Sequence, residues 1–298
     1  MKVVVFLEWK EKCFRVDPEA LRYLREKVGD SPRIVRARSE KAFLRELKDA
    51  THVITWHFKR EWFAIAKKLE LLATPAAGRE LVPETGPEGV RIHFGHYHGD
   101  IMAENVAAYV LAVSRGFFFK GTVPWPRVEM SDKCRTVAGT KAVIAGYGSV
   151  GRAIGAKLAA LGVEVKGFGR KNLAELPAAA KTADWFVMAL PSTTGTDDFL
   201  GAKLIAKLPR RCRVINVGRG NAIDEAALAK ALRSGRLAGA YLDVLKYEPS
   251  GTVPVFKGAT GDFLAGTVPG CVVTPHSSAF SPDYIKRCFK ELKDEGCI

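Results

Sequence analysis

The run Gly146-Tyr147-Gly148-Ser149-Val150-Gly151 has the residue types and spacing that let a backbone hold the phosphates of a dinucleotide. In a GxGxxG loop the first glycine permits a tight turn. The second leaves room for a pyrophosphate, and the third lets a helix pack close to the preceding strand. Glycines at this spacing also occur in ordinary turns, so context decides. Here an apolar run, Ala142-Val143-Ile144-Ala145, leads straight into the loop. A helical pattern follows, with apolar residues at Val150, Ile154, Leu158 and Leu161 on one face. Ser149 and Val150 then lie where a helix N-terminus offers unpaired N–H groups and a positive dipole end to phosphate.

The next apolar run, 163–168, ends where an NAD site places a carboxylate on the ribose 2′-hydroxyl. The chain reads Gly169-Arg170-Lys171 there. Two cations in place of an acid favour a 2′-phosphate, so NADP(H) is expected to be preferred, with NAD(H) as the alternative cofactor. The plain alternative for Arg170 and Lys171 is a pair of solvated loop charges. A third constellation, His93-Phe94-Gly95-His96-Tyr97-His98, places three histidines close together. A zinc site needs a defined ligand set, and no cysteine or carboxylate pair stands nearby in the chain to complete one. No metal is therefore expected, and a loop or cleft lining fits better.

Elements able to position these groups alternate along the whole chain. In the first hundred residues strands are expected at 3–7, 34–37, 53–56, 69–73 and 90–94, with amphipathic helices at 18–27 and 40–48. One long helix, capped by Asp100, is expected over 100–119, followed by the breaker-rich Gly121-Thr122-Val123-Pro124-Trp125-Pro126. A second series places strands at 141–145, 163–168, 184–190, 213–217, 239–244 and 271–274. Helical stretches at 150–161, 202–208 and 225–234 separate them. Such alternation predicts α/β architecture with mostly parallel sheets, and 298 residues suffice for two cores.

Composition narrows the function classes. Hydrophobic residues at 47% and charged residues at 26% describe a globular chain. The six scattered cysteines form no CxxC pair, which argues against a disulfide framework. The net charge of +14 comes from cations interleaved with acids rather than from a basic block, so no nucleic-acid partner is expected. Instead, a basic surface favours anionic cofactors and carboxylate substrates. Met1–Val5 reads as a buried strand rather than a signal peptide, and no apolar run is long enough to span a bilayer. A cytoplasmic location without a membrane partner is expected.

Further segments carry a resemblance. They are the run 183–191, Ile215-Asn216-Val217-Gly218-Arg219-Gly220, Leu242-Asp243-Val244 through Glu248-Pro249, and Thr274-Pro275-His276. Taken in order with the glycine loop, they resemble the D-2-hydroxyacid dehydrogenases, which include glyoxylate/hydroxypyruvate reductases and phosphoglycerate dehydrogenases. The likeness covers the cofactor domain well and the first hundred residues more loosely. It implies a Rossmann NAD(P)-binding domain, 100–280, inserted in a flavodoxin-like substrate domain made of 1–99 and 281–298. It also implies a homodimer in contact through the long helix.

The resemblance puts the catalytic roles on Arg219, Glu248 and His276. Reduction of a 2-oxo acid needs a cation to hold the carboxylate and polarise the carbonyl, and a guanidinium suits it. It also needs a proton donor near neutral pH, an imidazole, and a carboxylate to raise that imidazole's pKa. By the same resemblance Pro191 and Ser192 lie near the adenosine half, while Val217 and Gly218 line the nicotinamide ribose. Asp243 and Ser278 meet the carboxamide. Ala77-Gly78 would hold the substrate carboxylate, with Trp56 and His57 facing it. The implied activity is NAD(P)H-dependent reduction of small 2-oxo acids to D-2-hydroxy acids. The alternatives are a formate/phosphite dehydrogenase-like relative and a non-catalytic dinucleotide-sensing protein.

Overall fold

The structure is a computed structural model that describes residues 1–28, 33–249 and 258–298. Residues Met1–His98 with Phe280–Ile298 form one compact unit, and Gly99–Ala279 form another. Among the described residues, no helix is long and apolar enough to cross a membrane. All six cysteines are unbridged.

In the first unit β1 (Lys2–Phe6), β2 (Arg33–Arg36), β3 (His52–Thr55), β4 (Leu71–Thr74) and β5 (Arg91–Phe94) form a parallel sheet in the order β2-β1-β3-β4-β5. Strand β1 is buried along its whole length, which is why it reads as a continuous apolar run rather than an alternating one. The helices α1 (Pro18–Val28) and α2 (Glu40–Leu47) join these strands. Helix α2 starts where the Ser39 hydroxyl accepts the Ala42 N–H, and it buries Phe43 and Leu47. The last helix of the chain also belongs to this unit.

The second unit opens with α3 (His98–Ser114), whose first residue is shared with the end of the first unit, and a short α4 (Arg127–Ser131). The expected helix over 100–119 therefore starts two residues earlier and stops five earlier. Gly116, at φ +72°, takes the left-handed conformation, and Phe117 N–H bonds back to the Ala112 carbonyl. That is a Schellman stop, which the apolar run through Phe119 conceals. Asp100 sits inside the first turn rather than at the cap.

Next come β6 (Lys141–Ala145), α5 (Ser149–Ala160), β7 (Glu164–Phe168), α6 (Leu176–Ala179), β8 (Trp185–Met188) and α7 (Ala202–Ile205). They are followed by β9 (Arg213–Asn216), α8 (Glu225–Arg233), β10 (Gly239–Leu242), α9 (Gly258–Leu264) and β11 (Cys271–Val273). The last helix, α10 (Tyr284–Asp294), returns to the first unit.

The second sheet is parallel, in the order β11-β10-β9-β8-β6-β7. Both its faces are covered. Val143 and Ala145 of β6 join one core, and Ala142 and Ile144 the other. This is a Rossmann-type doubly wound domain. From β6 the chain passes to β7 on one side and then to β8 on the other, so the crevice at their carboxyl ends is the switch point where such sheets bind ligands.

Candidate active site

The glycine loop fills that switch point. Gly146 has φ +92°, and a side-chain Cβ there would lie 2.4 Å from the Ala189 carbonyl at the end of β8. A Cβ on Gly151 would lie 2.1 Å from the Gly146 carbonyl, so only glycine lets α5 start this close to the strand. Gly148 is the opposite case: nothing stands within 4 Å of its missing Cβ. Bare backbone faces open space beside the N-terminus of α5, where Ser149 and Val150 are half-buried. These three environments fit the pyrophosphate of a dinucleotide.

Beyond β7, Arg170 and Lys171 are exposed on a turn. The Asn172 side chain holds that turn, accepting from Gly169 N–H at 2.9 Å and donating to the Gly167 carbonyl at 3.3 Å. Asn172 went unnoticed in the sequence, although an asparagine just past a strand end is a turn signal. Pro191 and Ser192 are exposed after β8. The Thr196 hydroxyl fastens their loop by donating to the Pro191 carbonyl at 2.7 Å.

The loop after β9 is built around buried Asn216. Its side chain accepts from Gly218 N–H at 3.1 Å and donates to the Arg219 carbonyl at 3.0 Å. Val217 extends the ladder by bonding to the Met188 carbonyl. A Cβ on Gly218 would strike the Leu190 backbone at 2.6 Å, and one on Gly220 the Leu245 carbonyl at 2.0 Å. The glycines flanking Arg219 are thus demanded by close backbone packing. The guanidinium donates to the Gly218 carbonyl at 3.0 Å.

Asp243, 1% exposed at the end of β10, organises the loop that carries His276. One carboxylate oxygen accepts from the Thr274 hydroxyl at 2.5 Å and from Ser277 N–H at 2.9 Å, and the other from Ser278 N–H at 3.0 Å. Ser278 is buried, and its carbonyl accepts from the Asn105 side chain on α3. His276 itself has φ +50°, a left-handed conformation that costs a non-glycine residue about 1–2 kcal/mol. Bonds from its N–H to the Asp243 and Thr274 carbonyls hold it there.

The His276 ring meets Glu248, with Nδ1 and Oε2 2.8 Å apart. That hydrogen bond raises the imidazole pKa above its ordinary value, while partial burial and the nearby Arg219 charge oppose the rise. The structure therefore gathers Arg219, Glu248 and His276 within one unit, on the same edge of the sheet as the glycine loop. Buried Glu225, which sequence reading passed over, holds the approach to Glu248. It accepts from Lys246 N–H at 2.7 Å and from the Thr260 hydroxyl. An acid in the first turn of a helix looks like a solvated partner of the dipole, so no local signal marked it. A cavity of about 480 Å³ lined by Tyr109, Phe118, Arg213 and Cys271 lies where β9 and β11 begin, away from this edge.

In the first unit Trp56 and His57 follow β3, and Ala77 and Gly78 lie in a bend after β4. Two buried threonines, also missed, shape these loops. Thr55 donates to the His57 carbonyl at 3.0 Å; the Thr74 hydroxyl accepts from Ala76 N–H at 3.2 Å. Trp56 is buried, with its indole N–H on the Phe14 carbonyl at 2.8 Å and its ring against Phe14 and Tyr284. His57 is half-buried, and Ala77 is exposed.

The histidine-rich segment divides. His98 Nε2 meets the Tyr284 hydroxyl at 2.7 Å. His93 and His96 instead face Glu291 of α10 and Glu295 just beyond it, with Cys297 close by. The carboxylate pair absent from the neighbouring sequence is supplied by the far end of the chain.

Comparison with known proteins agrees with this architecture. The family model described as D-isomer specific 2-hydroxyacid dehydrogenase, NAD binding domain, matches residues 110–278, more than half of the chain. Glycerate dehydrogenase of Methylorubrum extorquens is 27% identical over 246 residues, 76% of this chain and 74% of that protein. The 2-ketogluconate reductase of Gluconobacter oxydans is 30% identical over 163 residues, 51% and 52% of the two chains. Among solved structures, the NAD-complexed D-isomer specific 2-hydroxyacid dehydrogenase of Lactobacillus delbrueckii ssp. bulgaricus has a TM-score of 0.77 at 16% identity, covering 100% of this chain and 96% of that one. A D-isomer specific 2-hydroxyacid dehydrogenase of Xanthobacter autotrophicus, in complex with NADPH and MES, has a TM-score of 0.71 at 24% identity, covering 99% and 95%. The glycine loop at the switch point and the match over most of the second unit lead to one conclusion: this chain belongs to the D-isomer specific 2-hydroxyacid dehydrogenases, enzymes that work with a nicotinamide dinucleotide.

Proposed function

We propose that the protein reduces small 2-oxo acids of the glyoxylate/hydroxypyruvate kind to D-2-hydroxy acids, using NADPH in preference to NADH. The observation that carries this reading is the 2.8 Å pair of His276 Nδ1 with Glu248, on the same sheet edge as Arg219 and the glycine loop. The bound nicotinamide would supply a hydride to the carbonyl carbon. Arg219 holds the substrate carboxylate and draws electron density toward the carbonyl oxygen. His276, with Nδ1 committed to Glu248, gives its proton from Nε2 to the forming alkoxide. Glu248 steadies the imidazolium before that transfer and fixes the ring. Each turnover consumes one solution proton, which reloads His276.

Gly146, Gly148, Ser149, Val150 and Gly151 are assigned to the pyrophosphate, and Arg170 and Lys171 to the 2′-phosphate, where residues 167–172 contain no acid to repel it. Pro191 and Ser192 are assigned to the adenosine half, and Val217, Gly218, Asp243 and Ser278 to the nicotinamide half. Trp56, His57, Ala77 and Gly78 are assigned to the substrate. A homodimer through α3 and the segment after it would cover Phe117 and Trp125, which are 79% and 82% exposed. Initial rates with glyoxylate, hydroxypyruvate, pyruvate and bulkier 2-oxo acids, each with NADPH and NADH, test the reading. Faster turnover with NADH, or a preference for the bulky acids, contradicts it.

A further inference from the structure

The cluster on the C-terminal helix of the first unit has the chemistry of a metal site. His93, on β5, is 6% exposed, and the Glu291 side chain, on α10, is 9% exposed. His93 Nε2 lies 3.0 Å from Glu291 Oε1, and His96 Nε2 lies 3.5 Å from Glu291 Oε2. One ligand atom from each of these three residues can be chosen so that all lie within 4.8 Å of one another. Around a tetrahedral zinc ion with bonds of about 2.0–2.1 Å, neighbouring ligand atoms stand about 3.3 Å apart. The His93-to-Oε1 separation already matches that edge to within a few tenths of an ångström, and His96 reaches the other oxygen of the same carboxylate, so a small rotation of either side chain would bring all three groups onto one ion.

The surroundings continue the pattern. A histidine that ligates a metal usually gives its other ring N–H to a carboxylate, which fixes the ring and raises its basicity. His93 Nδ1 faces Glu295 Oε2 at 3.4 Å on the side away from Glu291. The Glu291 carboxylate is anchored as well, accepting from the His96 backbone N–H at 3.2 Å. Imidazole nitrogens select first-row transition ions over magnesium or calcium. Cys297 joins His93 and Glu295 in a second possible set.

We propose that His93 Nε2, His96 Nε2 and Glu291 bind a divalent transition-metal ion of the zinc class. Glu295, whose Oε2 faces His93 Nδ1 at 3.4 Å and whose Oε1 lies 2.9 Å from His96 Nε2, flanks both imidazoles, and water takes the remaining position. The ion would clamp α10 to the end of β5, which identifies it as a structural fastening of the first unit, apart from the residues assigned to catalysis.

The test uses the whole chain, untagged and stripped with a chelator, titrated with zinc chloride in a calorimeter. The expected result is one saturable ion per chain, with a higher Tm in the loaded form. His96→Ala, on a half-exposed side chain that folding does not need, is expected to weaken binding at least about tenfold, and Glu295→Gln about tenfold with unchanged stoichiometry. Cys297→Ser and His276→Ala retain the site. Absence of saturable binding, or binding that survives His96→Ala undiminished, overturns the proposal. Loss of binding in Cys297→Ser or His276→Ala overturns the ligand assignment.

Discussion

His276 and Glu248 form a single pair whose side chains are 51% and 40% exposed, whereas His93 and His96 share two carboxylates around an imidazole only 6% exposed. The side-chain types are the same in both places, and the difference lies in what surrounds them. At His276 the Glu248 carboxylate meets Nδ1, and the proposed mechanism uses the other ring nitrogen. Arg219 stands near enough to oppose the rise in the imidazole pKa that Glu248 produces. This is the arrangement the proposed mechanism asks to load and unload a proton. At His93 both ring nitrogens face carboxylates, while the Arg91 guanidinium lies 3.8 Å from Glu295. Such a site is completed by a cation that stays. A histidine–glutamate contact therefore acquires its role from the number of acids and from solvent access.

The comparison breaks most decisively at His276 and Arg219. Replacing either by alanine is expected to lower kcat/KM for 2-oxo acid reduction by about a thousandfold or more, measured by initial rates, while zinc binding remains. Unchanged turnover would remove the distinction between the two clusters.

Glu248→Gln comes next. With His276 as the proposed proton donor and its pKa raised, the wild-type reductive rate is expected to be full at lower pH and to fall through that raised pKa as pH increases. The oxidative direction needs the neutral ring and shows the opposite slope. Without the carboxylate the fall begins at lower pH, and the reductive rate on the alkaline side drops by roughly tenfold to a hundredfold. A pH profile identical to the wild type would count against the pairing.

The cofactor end sharpens the same contrast. Arg170→Ala with Lys171→Ala is expected to raise the KM for NADPH by about tenfold and leave that for NADH unchanged. The smallest effect is expected at Glu225→Gln, which weakens the hold on Lys246 N–H. A loss of roughly threefold in kcat, with a Tm lower by a few degrees, would show that this buried acid positions Glu248. A variant that loses Tm but keeps its full rate and pH profile would reduce Glu225 to a purely structural role.

Much of the architecture could be read residue by residue. Every expected strand recurs, with ends that shift by a few residues, because two-sided burial requires unbroken apolar runs such as Val3–Leu7 and Ala142–Ala145. The long helix departs from its expected span at both ends. Its C-terminal stop depends on Gly116 adopting a left-handed conformation, and a lone glycine before three phenylalanines does not announce that choice. Arg219 stands out in the sequence because it lies between two glycines in an ordered set of segments. By contrast Asn216, Asp243 and Glu225 act by accepting or donating bonds inside loops, and their residue types alone do not reveal such bonds.

The sequence alone determined what depends on a few neighbouring residues. These are the glycine loop with its strand and helix, the absence of an acid beside Arg170 and Lys171, and the alternation of elements that makes two parallel sheets. Such features arise from backbone sterics and side-chain periodicity, which act over a turn or a strand. Tertiary structure alone decided which charges meet. His93 and Glu291 are 198 residues apart in the chain, and no local pattern encodes their 3.0 Å approach. Packing brings α10 against the end of β5, and that contact turns a histidine-rich loop with no ligands of its own into a candidate metal centre.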